Sequence, residues 1–336
     1  MIEISVILVV RNEKDFVIDC IRSIEQQFSA NDEWELIVVD GMSTDNTKTL
    51  ASEYLDTVGY KWQILDNRKK TLAPGWNIGI KHSLGRYVLR PDAHSRLHEG
   101  YISNGLKTLR ENPEVTVVGG LLETKSKGFM GNIIRVALSS RVGVGNSSFR
   151  TATKSGFSDT SVYGIYRREV FEHAGYFNEG LVRHQDNEMH KRIKEKGGRF
   201  YLNVNMKADY YCRSTIPALL KQMFNIGRYL PDVLFSGSLN LRHLAPFAFF
   251  TVIIIGAMAG LSISPPLFWA SILGLLIYLF VIAAESAIKS IRGKDPSLLL
   301  LIFVIPLMHM TYAAGTFWGL LRLIFNVMYC KQDDHH

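Results

Sequence analysis

Residues 4–10, ISVILVV, form an apolar run with one serine inside it, the pattern of a strand buried on both faces. The next segment, KDFVIDCIRSIEQQF, sets Phe16, Val17, Cys20, Ile21 and Ile24 at helical spacing. A second strand, ELIVVDG (35–41), precedes STDNTKTLASEYL, whose first residues suit a helix start. WQILD (62–66), a helix near 73–84, YVLRPDAH (87–94), a helix near 98–110 and VTVVGG (115–120) continue the alternation. Alternating strands and helices predict an α/β domain with a mostly parallel sheet covered by helices on both faces. In that architecture ligands bind beyond the C-terminal ends of the strands.

From residue 244 the pattern changes. Leu244–Ile263 and Pro265–Ala284 hold no Asp, Glu, Lys or Arg, and each is long enough to cross a bilayer as a helix. A third apolar stretch, Ser297–Leu321, contains Pro306 and suits a span or a bent segment. The expected organisation of the 336 residues is a catalytic-type domain over 1–212, an amphipathic interface helix and linker over 213–240, and a transmembrane region over 241–330. In the middle part Leu219, Leu220, Met223 and Ile226 give the helix after Pro217 an apolar side, the pattern of a helix lying in a membrane interface. The loop ESAIKSIRGKDP carries Lys289, Arg292 and Lys294, whereas the turn SPP between the first two spans carries no charge. The positive-inside bias then places this loop, and the N-terminal domain with it, on the cytoplasmic side of the cell (inner) membrane. MIEISVILVV has no basic residue before its apolar run and reads as a strand, not a signal peptide. Cys20, Cys212 and Cys330 lie far apart without metal-site spacing, as suits a reducing compartment. The formal charge of +7 is dispersed and comes with no base-stacking motif, which argues against nucleic acid; an anionic membrane face or a phosphorylated substrate accounts for it.

The strand ends carry the candidate chemistry. The first stops at Arg11-Asn12-Glu13, the second at Asp40, the third at Asp66 and the fourth at Asp92-Ala93-His94. A single such Asp is as often a turn former or helix cap; three on one rim point to a binding site. The G-x-G-x-x-G of a dinucleotide fold is missing after the first strand, and GVGNSS at 143–148 follows no strand, which disfavours a nicotinamide enzyme.

Taken together, SVILVVRNE (5–13), ELIVVDGMSTDNT (35–47), APGWNIGI (73–80), YVLRPDAH (87–94) and LVRHQDNEMHKRIKEKGGRF (181–200) resemble the family 2 glycosyltransferases of the GT-A fold. The resemblance is closest to membrane-anchored, non-processive enzymes that build bacterial exopolysaccharide units, such as succinoglycan glucosyltransferases. It implies a GT-A, Rossmann-like domain with a C-terminal α-helical membrane anchor, and a UDP-sugar donor held by Arg11, Glu13, Asp40, Asp66, Asn77 and Asp92. RPDAH occupies the place of the family's Asp-x-Asp, so Asp92 and His94 would hold Mn²⁺ or Mg²⁺. His94 replaces the second Asp, and imidazole favours Mn²⁺; the other reading of His94 is a residue facing the substrate. Asp186 matches the catalytic base, with Gln185 before it where the family carries Glu. The alternative for Asp186 is a plain helix cap. Relatives carry a Gln/Arg/Trp motif near the acceptor. Gln222, Arg228 and Tyr229 stand here with altered spacing, and Arg213 is a further candidate for a diphosphate contact.

The reading that follows is an inverting hexosyltransferase moving sugar from a UDP-sugar to a lipid-linked (polyprenyl-diphosphate) saccharide. Its rivals are a processive polysaccharide synthase and a catalytically silent, sugar-nucleotide-binding membrane scaffold. No span carries paired ionisable residues, so a transporter is disfavoured.

Overall fold

A computed structural model describes residues 1–145, 148–234 and 241–333. The chain divides into two compact units, Met1–Glu123 with Ser147–Tyr211 and Thr124–Asn146 with Cys212–His336. The first begins β1 (Ile4–Val10), α1 (Val17–Glu25), β2 (Trp34–Asp40), α2 (Thr47–Leu55), β3 (Lys61–Asp66) and α3 (Leu72–His82). It continues through β4 (Tyr87–Leu89), β5 (Ser95–Leu97), α4 (Tyr101–Glu111) and β6 (Val115–Lys125). The excursion α5 (Gly128–Ser139) and α6 (Arg141–Val144) belongs to the second unit. The chain then forms α7 (Ser148–Thr151), β7 (Gly156–Ser158), β8 (Ile165–Arg167), α8 (Glu169–His173), α9 (Gln185–Glu195) and β9 (Arg199–Tyr211).

The strands join one sheet in the order β3-β2-β1-β4-β8-β6-β9-β5, with β7 on β9. The alternation read from the sequence corresponds to its parallel half, where β3, β2, β1 and β4 pair in parallel. The other half departs from a mostly parallel sheet, because β4–β8, β8–β6, β9–β5 and β9–β7 are antiparallel. Four of these strands have only three residues, too few to show a period of two. The expected strand 87–94 is also shorter. Its regular part ends at Leu89, since Pro91 has no N–H to offer a ladder.

Residues of β1 alternate between two cores. Val6 and Leu8 pack with Val17, Cys20, Ile21 and Ile24 of α1 on one face. Ile7 and Val9 pack with Ala73, Trp76 and Ile80 of α3 on the other. Burial on both faces is why β1 and β2 read as nearly continuous apolar runs, broken only by Ser5 and Glu35 before Asp40. Helix α3 lies so close to β1 that a Cβ on Gly79 would stand 2.3 Å from Ile7 Cγ2, and one on Gly75 2.7 Å from Val9 Cγ1. That contact explains both glycines of APGWNIGI.

In the second unit, α10 (Ile216–Arg228) and α11 (Pro231–Leu234) precede α12 (Ala245–Ser262), α13 (Pro265–Gly293) and α14 (Leu301–Asp333). Three segments, Ala245–Ser262, Pro265–Gly293 and Pro296–Phe325, are long and apolar enough to cross a membrane. The third runs through Pro306 as helix. Helix α10 packs along α14 and buries Leu219, Met223 and Gly227. Small residues allow this: a Cβ on Gly227 would meet the Tyr312 carbonyl at 2.2 Å, and one on Gly315 the Phe224 carbonyl at 2.2 Å. Helix α5 buries Ile133, Ile134, Val136 and Leu138. Polar bonds fix the excursion to the helices after it. Asn132 Nδ2 donates to Asp295 Oδ2 at 3.1 Å, Ser140 Oγ to Glu285 Oε1 at 2.8 Å, and His309 Nε2 lies 3.0 Å from the Gly143 carbonyl. Within GVGNSS (143–148), Asn146 and Ser147 lie outside the described residues.

Candidate active site

The rim is built by register. Val10 pairs with Asp40 and Asp40 with Asp66, so the first three strands end level. Beyond β4 the chain touches β1 once more, in a parallel bridge between Val9 and Asp92. Arg11, Asp40, Asp66 and Asp92 therefore stand along one edge of the parallel half. Five non-glycine residues near it, Asn12, Met42, Lys70, Tyr163 and His184, adopt positive φ between 48° and 62°. Left-handed backbone at such residues costs energy and gathers at functional sites.

Each predicted nucleotide contact has a local role. Asp40, 2% exposed, accepts from Ser43 N at 3.0 Å and Ser43 Oγ at 2.6 Å, closing the turn that leaves β2. Asp66 is half-exposed and paired with Lys48 at 2.6 Å. Arg11 Nη1 donates to the Lys70 carbonyl at 3.2 Å. The backbone N–H of Glu13 donates to Thr47 Oγ1 at 2.8 Å. Asn77 is buried and fully used: Nδ2 donates to the Phe177 carbonyl and to Glu179 Oε1, both at 2.9 Å, while Oδ1 accepts from Phe177 N at 2.9 Å. It ties α3 to the segment before α9.

RPDAH is a turn, not a strand. The Asp92 carbonyl accepts from Ser95 N at 3.1 Å and Ser95 Oγ at 2.6 Å. Burial pushes the Asp92 carboxyl above its ordinary range, and nearby Asp186 adds to this while His94 and Arg90 oppose it. His94 Nδ1 stands 3.2 Å from Glu13 Oε1, and its ring lies edge-on to Tyr210 at 5.3 Å. One carboxylate and one imidazole, backed by a second carboxylate, suit a divalent cation that takes its remaining ligands from a diphosphate. Among the described residues, three such side chains whose ligand atoms all lie within 4.8 Å occur elsewhere, at His98, Glu123 and Asp209.

Asp186 lies in the first turn of α9 and does not cap it. The N-cap position is His184, in left-handed conformation and without a side-chain cap bond. The Asp186 carboxylate instead accepts from Arg90 Nη2. Arg90 is buried, and its guanidinium lies 4.1 Å from the Trp76 ring centre, 4.8 Å from Phe177 and 5.4 Å from Tyr166. Cation–π contact in a desolvated setting is worth about 2 kcal/mol, and the charge is compensated by the carboxylate it holds. Arg90 Nη2 also donates to Tyr166 Oη at 3.0 Å, which lies 2.8 Å from His190 Nε2; His190 Nδ1 lies 2.9 Å from Thr160 Oγ1. Gln185, buried, donates to the Val182 carbonyl at 2.8 Å and steadies the start of the helix.

Sequence reasoning missed Arg90, Tyr166 and His190. The signal for Arg90 was a lone cation in the apolar run YVLR; Tyr166 and His190 gave none. Burial pushes His190 down to about 3 from its ordinary 6.5, so it is neutral when folded. The unfolded chain takes up a proton below about pH 6.5 and the folded chain does not. The stability this group supplies is thus complete above that pH and is lost as pH falls toward 3, by up to about 1.4 kcal/mol per unit. His190→Gln is expected to flatten the fall in thermal midpoint between roughly pH 6.5 and 5, relative to wild type. Identical slopes in the two proteins would remove His190 as the cause.

Arg213, Gln222, Arg228 and Tyr229 belong to the second unit. There the Arg228 guanidinium lies 5.5 Å from the Tyr229 ring centre, and Arg322, paired with Asp232, lies 5.2 Å from the same ring.

Comparison with known proteins identifies the family of the chain. The chain is 26% identical over 325 residues to a dolichyl N-acetyl-α-D-glucosaminyl phosphate 3-β-D-2,3-diacetamido-2,3-dideoxy-β-D-glucuronosyltransferase of Methanococcus voltae, covering 95% of this chain and 97% of that protein. It is 24% identical over 254 residues to glycosyltransferase AglE of Haloferax volcanii, covering 74% of this chain and 80% of that protein. Its fold resembles a crystal structure of GalNAc-T7 with UDP, GalNAc and Mn²⁺, at a TM-score of 0.52 and 14% identity, over 73% of this chain and 53% of that one. The profile of glycosyl transferase family 2 matches residues 5–175, which is half of the chain. The chain therefore belongs to glycosyl transferase family 2 and is a glycosyltransferase with a GT-A domain and three helices apolar enough to anchor it in a membrane.

Proposed function

We propose that this glycosyltransferase moves a hexose from a UDP-sugar to a lipid-phosphate-linked saccharide at the cytoplasmic face of a membrane, with inversion at the anomeric carbon. The observation that carries this reading is the Asp186 carboxylate, half-exposed at the rim, held by buried Arg90 and close enough to Asp92 to influence its charge. A general base there removes the proton of the incoming sugar hydroxyl as its oxygen attacks the anomeric carbon and the bond to the UDP oxygen breaks. Arg90 aims the carboxylate. Arg11, Glu13, Asp40 and Asp66, at or next to the strand ends, hold the nucleotide, and Asn77 keeps α3 against the segment leading to the base. Asp92 and His94 would hold Mn²⁺ or Mg²⁺, whose positive charge would offset that of the departing diphosphate. A single base facing the leaving group gives one displacement, hence inversion.

The relative from Methanococcus voltae is named for transfer to a dolichyl-phosphate-linked sugar, which supports an acceptor confined to the bilayer. Gln222, Arg228, Tyr229 and Arg213 are our candidates for acceptor or phosphate contacts. A panel of UDP-sugars, each incubated with Mn²⁺ or Mg²⁺ and with vesicles containing polyprenyl-phosphate or polyprenyl-diphosphate sugars, tests the proposal. One UDP-sugar is expected to release UDP and extend the lipid by a single residue. Long polymer on a gel would instead indicate a processive synthase, and no UDP release with any donor would indicate a silent scaffold.

A further inference from the structure

Three neighbouring strands contribute a second constellation away from the rim. His98 follows β5, Asp209 is on β9 and Glu123 is on β6, which neighbours β9 in the sheet. His98 Nε2 stands 2.9 Å from Asp209 Oδ1, and one ligand atom from each of the three residues lies within 4.8 Å of the others. Asp209 is buried, His98 partly so and Glu123 exposed. Asp209 and Tyr210 are consecutive on β9 and so point to opposite faces. Tyr210 packs on His94, which assigns Asp209 to the face away from the rim histidine. Helix α1 measures the separation along the sheet. Glu13 and His94 lie at its N-terminal end, whereas Gln26, just past its C-terminal end, lines the same cavity as His98 and Asp209. Nine helical residues span about 13 Å.

We infer that His98, Glu123 and Asp209 form a divalent transition-metal site separate from the sugar-nucleotide rim. A divalent cation among the three side chains is attracted by both carboxylates. An imidazole nitrogen beside two hard oxygens is a donor set for Zn²⁺ or Mn²⁺. The hydrogen bond between His98 Nε2 and Asp209 Oδ1, at 2.9 Å, already brings an imidazole nitrogen and a carboxylate oxygen together, and both would exchange it for a bond to the ion. Access is open, because His98 and Asp209 line a cavity of about 730 Å³ that also includes Arg96, Asn205 and Lys207. Water from this cavity completes the coordination. Its consequence is structural: the ion clips β5, a three-residue strand at the edge of the sheet, to β9 and β6.

The test is isothermal titration of the chelator-treated full-length protein with ZnCl₂ and then MnCl₂, without nucleotide. Wild type is expected to bind one ion that H98A/D209N does not bind, that E123Q binds at least tenfold more weakly, and that D92N binds as wild type does. The same ion should raise the thermal midpoint of wild type and leave that of H98A/D209N unchanged. Unaltered binding in E123Q, whose exposed side chain is safely replaced, overturns the inference even if the double variant fails to fold. Loss of the ion in D92N, or no binding to wild type at millimolar Zn²⁺ and Mn²⁺, overturns it as well. None of these outcomes depends on the donor or acceptor being correctly assigned.

Discussion

Asp186→Asn is expected to lower sugar transfer by about 10²- to 10⁴-fold, the usual contribution of a positioned general base, with UDP affinity within about twofold of wild type. Asparagine keeps the shape of the side chain and can still accept from Arg90, so the fold around α9 is retained. What is lost is a group able to take a proton from the acceptor hydroxyl. Because the role proposed for Asp186 is toward the acceptor hydroxyl, the loss should fall on kcat. Steady-state transfer together with UDP titration separates the two effects. A variant that keeps more than a tenth of wild-type turnover would show that the base lies elsewhere.

Arg90→Met is the second large effect, and it acts on stability and rate together. The side chain fills a space walled by Trp76, Phe177 and Tyr166, and methionine keeps most of that volume. The lost items are the cation–π contacts, the bond to Tyr166 and the grip on Asp186. A destabilisation of about 3 kcal/mol follows from losing a desolvated cation–π site and the partner of a carboxylate. The value is kept low because Asp186 is 46% exposed and water screens it. Freed from Arg90, Asp186 can turn into solvent, and displacement of a reacting group by about 1 Å costs on the order of 10²-fold in rate. The KM for the donor should stay near wild type, which a purely structural role would not require. Arg90→Lys should recover part of the stability and little of the rate, since an ammonium cannot lie flat among the rings and bond Tyr166 and Asp186 at once. Turnover within threefold of wild type in Arg90→Met would disprove the positioning role.

The first three strands of the parallel half were readable because they are six or seven residues long and are separated by helices. The three apolar helices were readable for the same reason, since each is a long uninterrupted signal. The antiparallel half was not. Gly156–Ser158 and Ile165–Arg167 have three residues each and acquire their pairing only from neighbours distant in sequence. At the rim, residue type foretold where Asp40, Asp66 and Asp92 would stand but not their partners. Ser43 claims the carboxylate of Asp40, and Lys48 that of Asp66. The pairing of Arg90 with Asp186 joins residues 96 apart in sequence, and no local pattern encodes it. His98, Glu123 and Asp209 were invisible for the same reason, because strand order rather than spacing brings them together.

The excursion between β6 and α7 has a practical consequence. Ile133, Ile134, Val136 and Leu138 take their cover from the unit that begins again at Cys212. A fragment ending at Tyr211 would keep the strand ends of the rim yet leave this greasy loop bare to water. Severing the anchor with one cut therefore yields a sticky protein, and a water-soluble form requires a short polar bridge in place of residues 124–146 too.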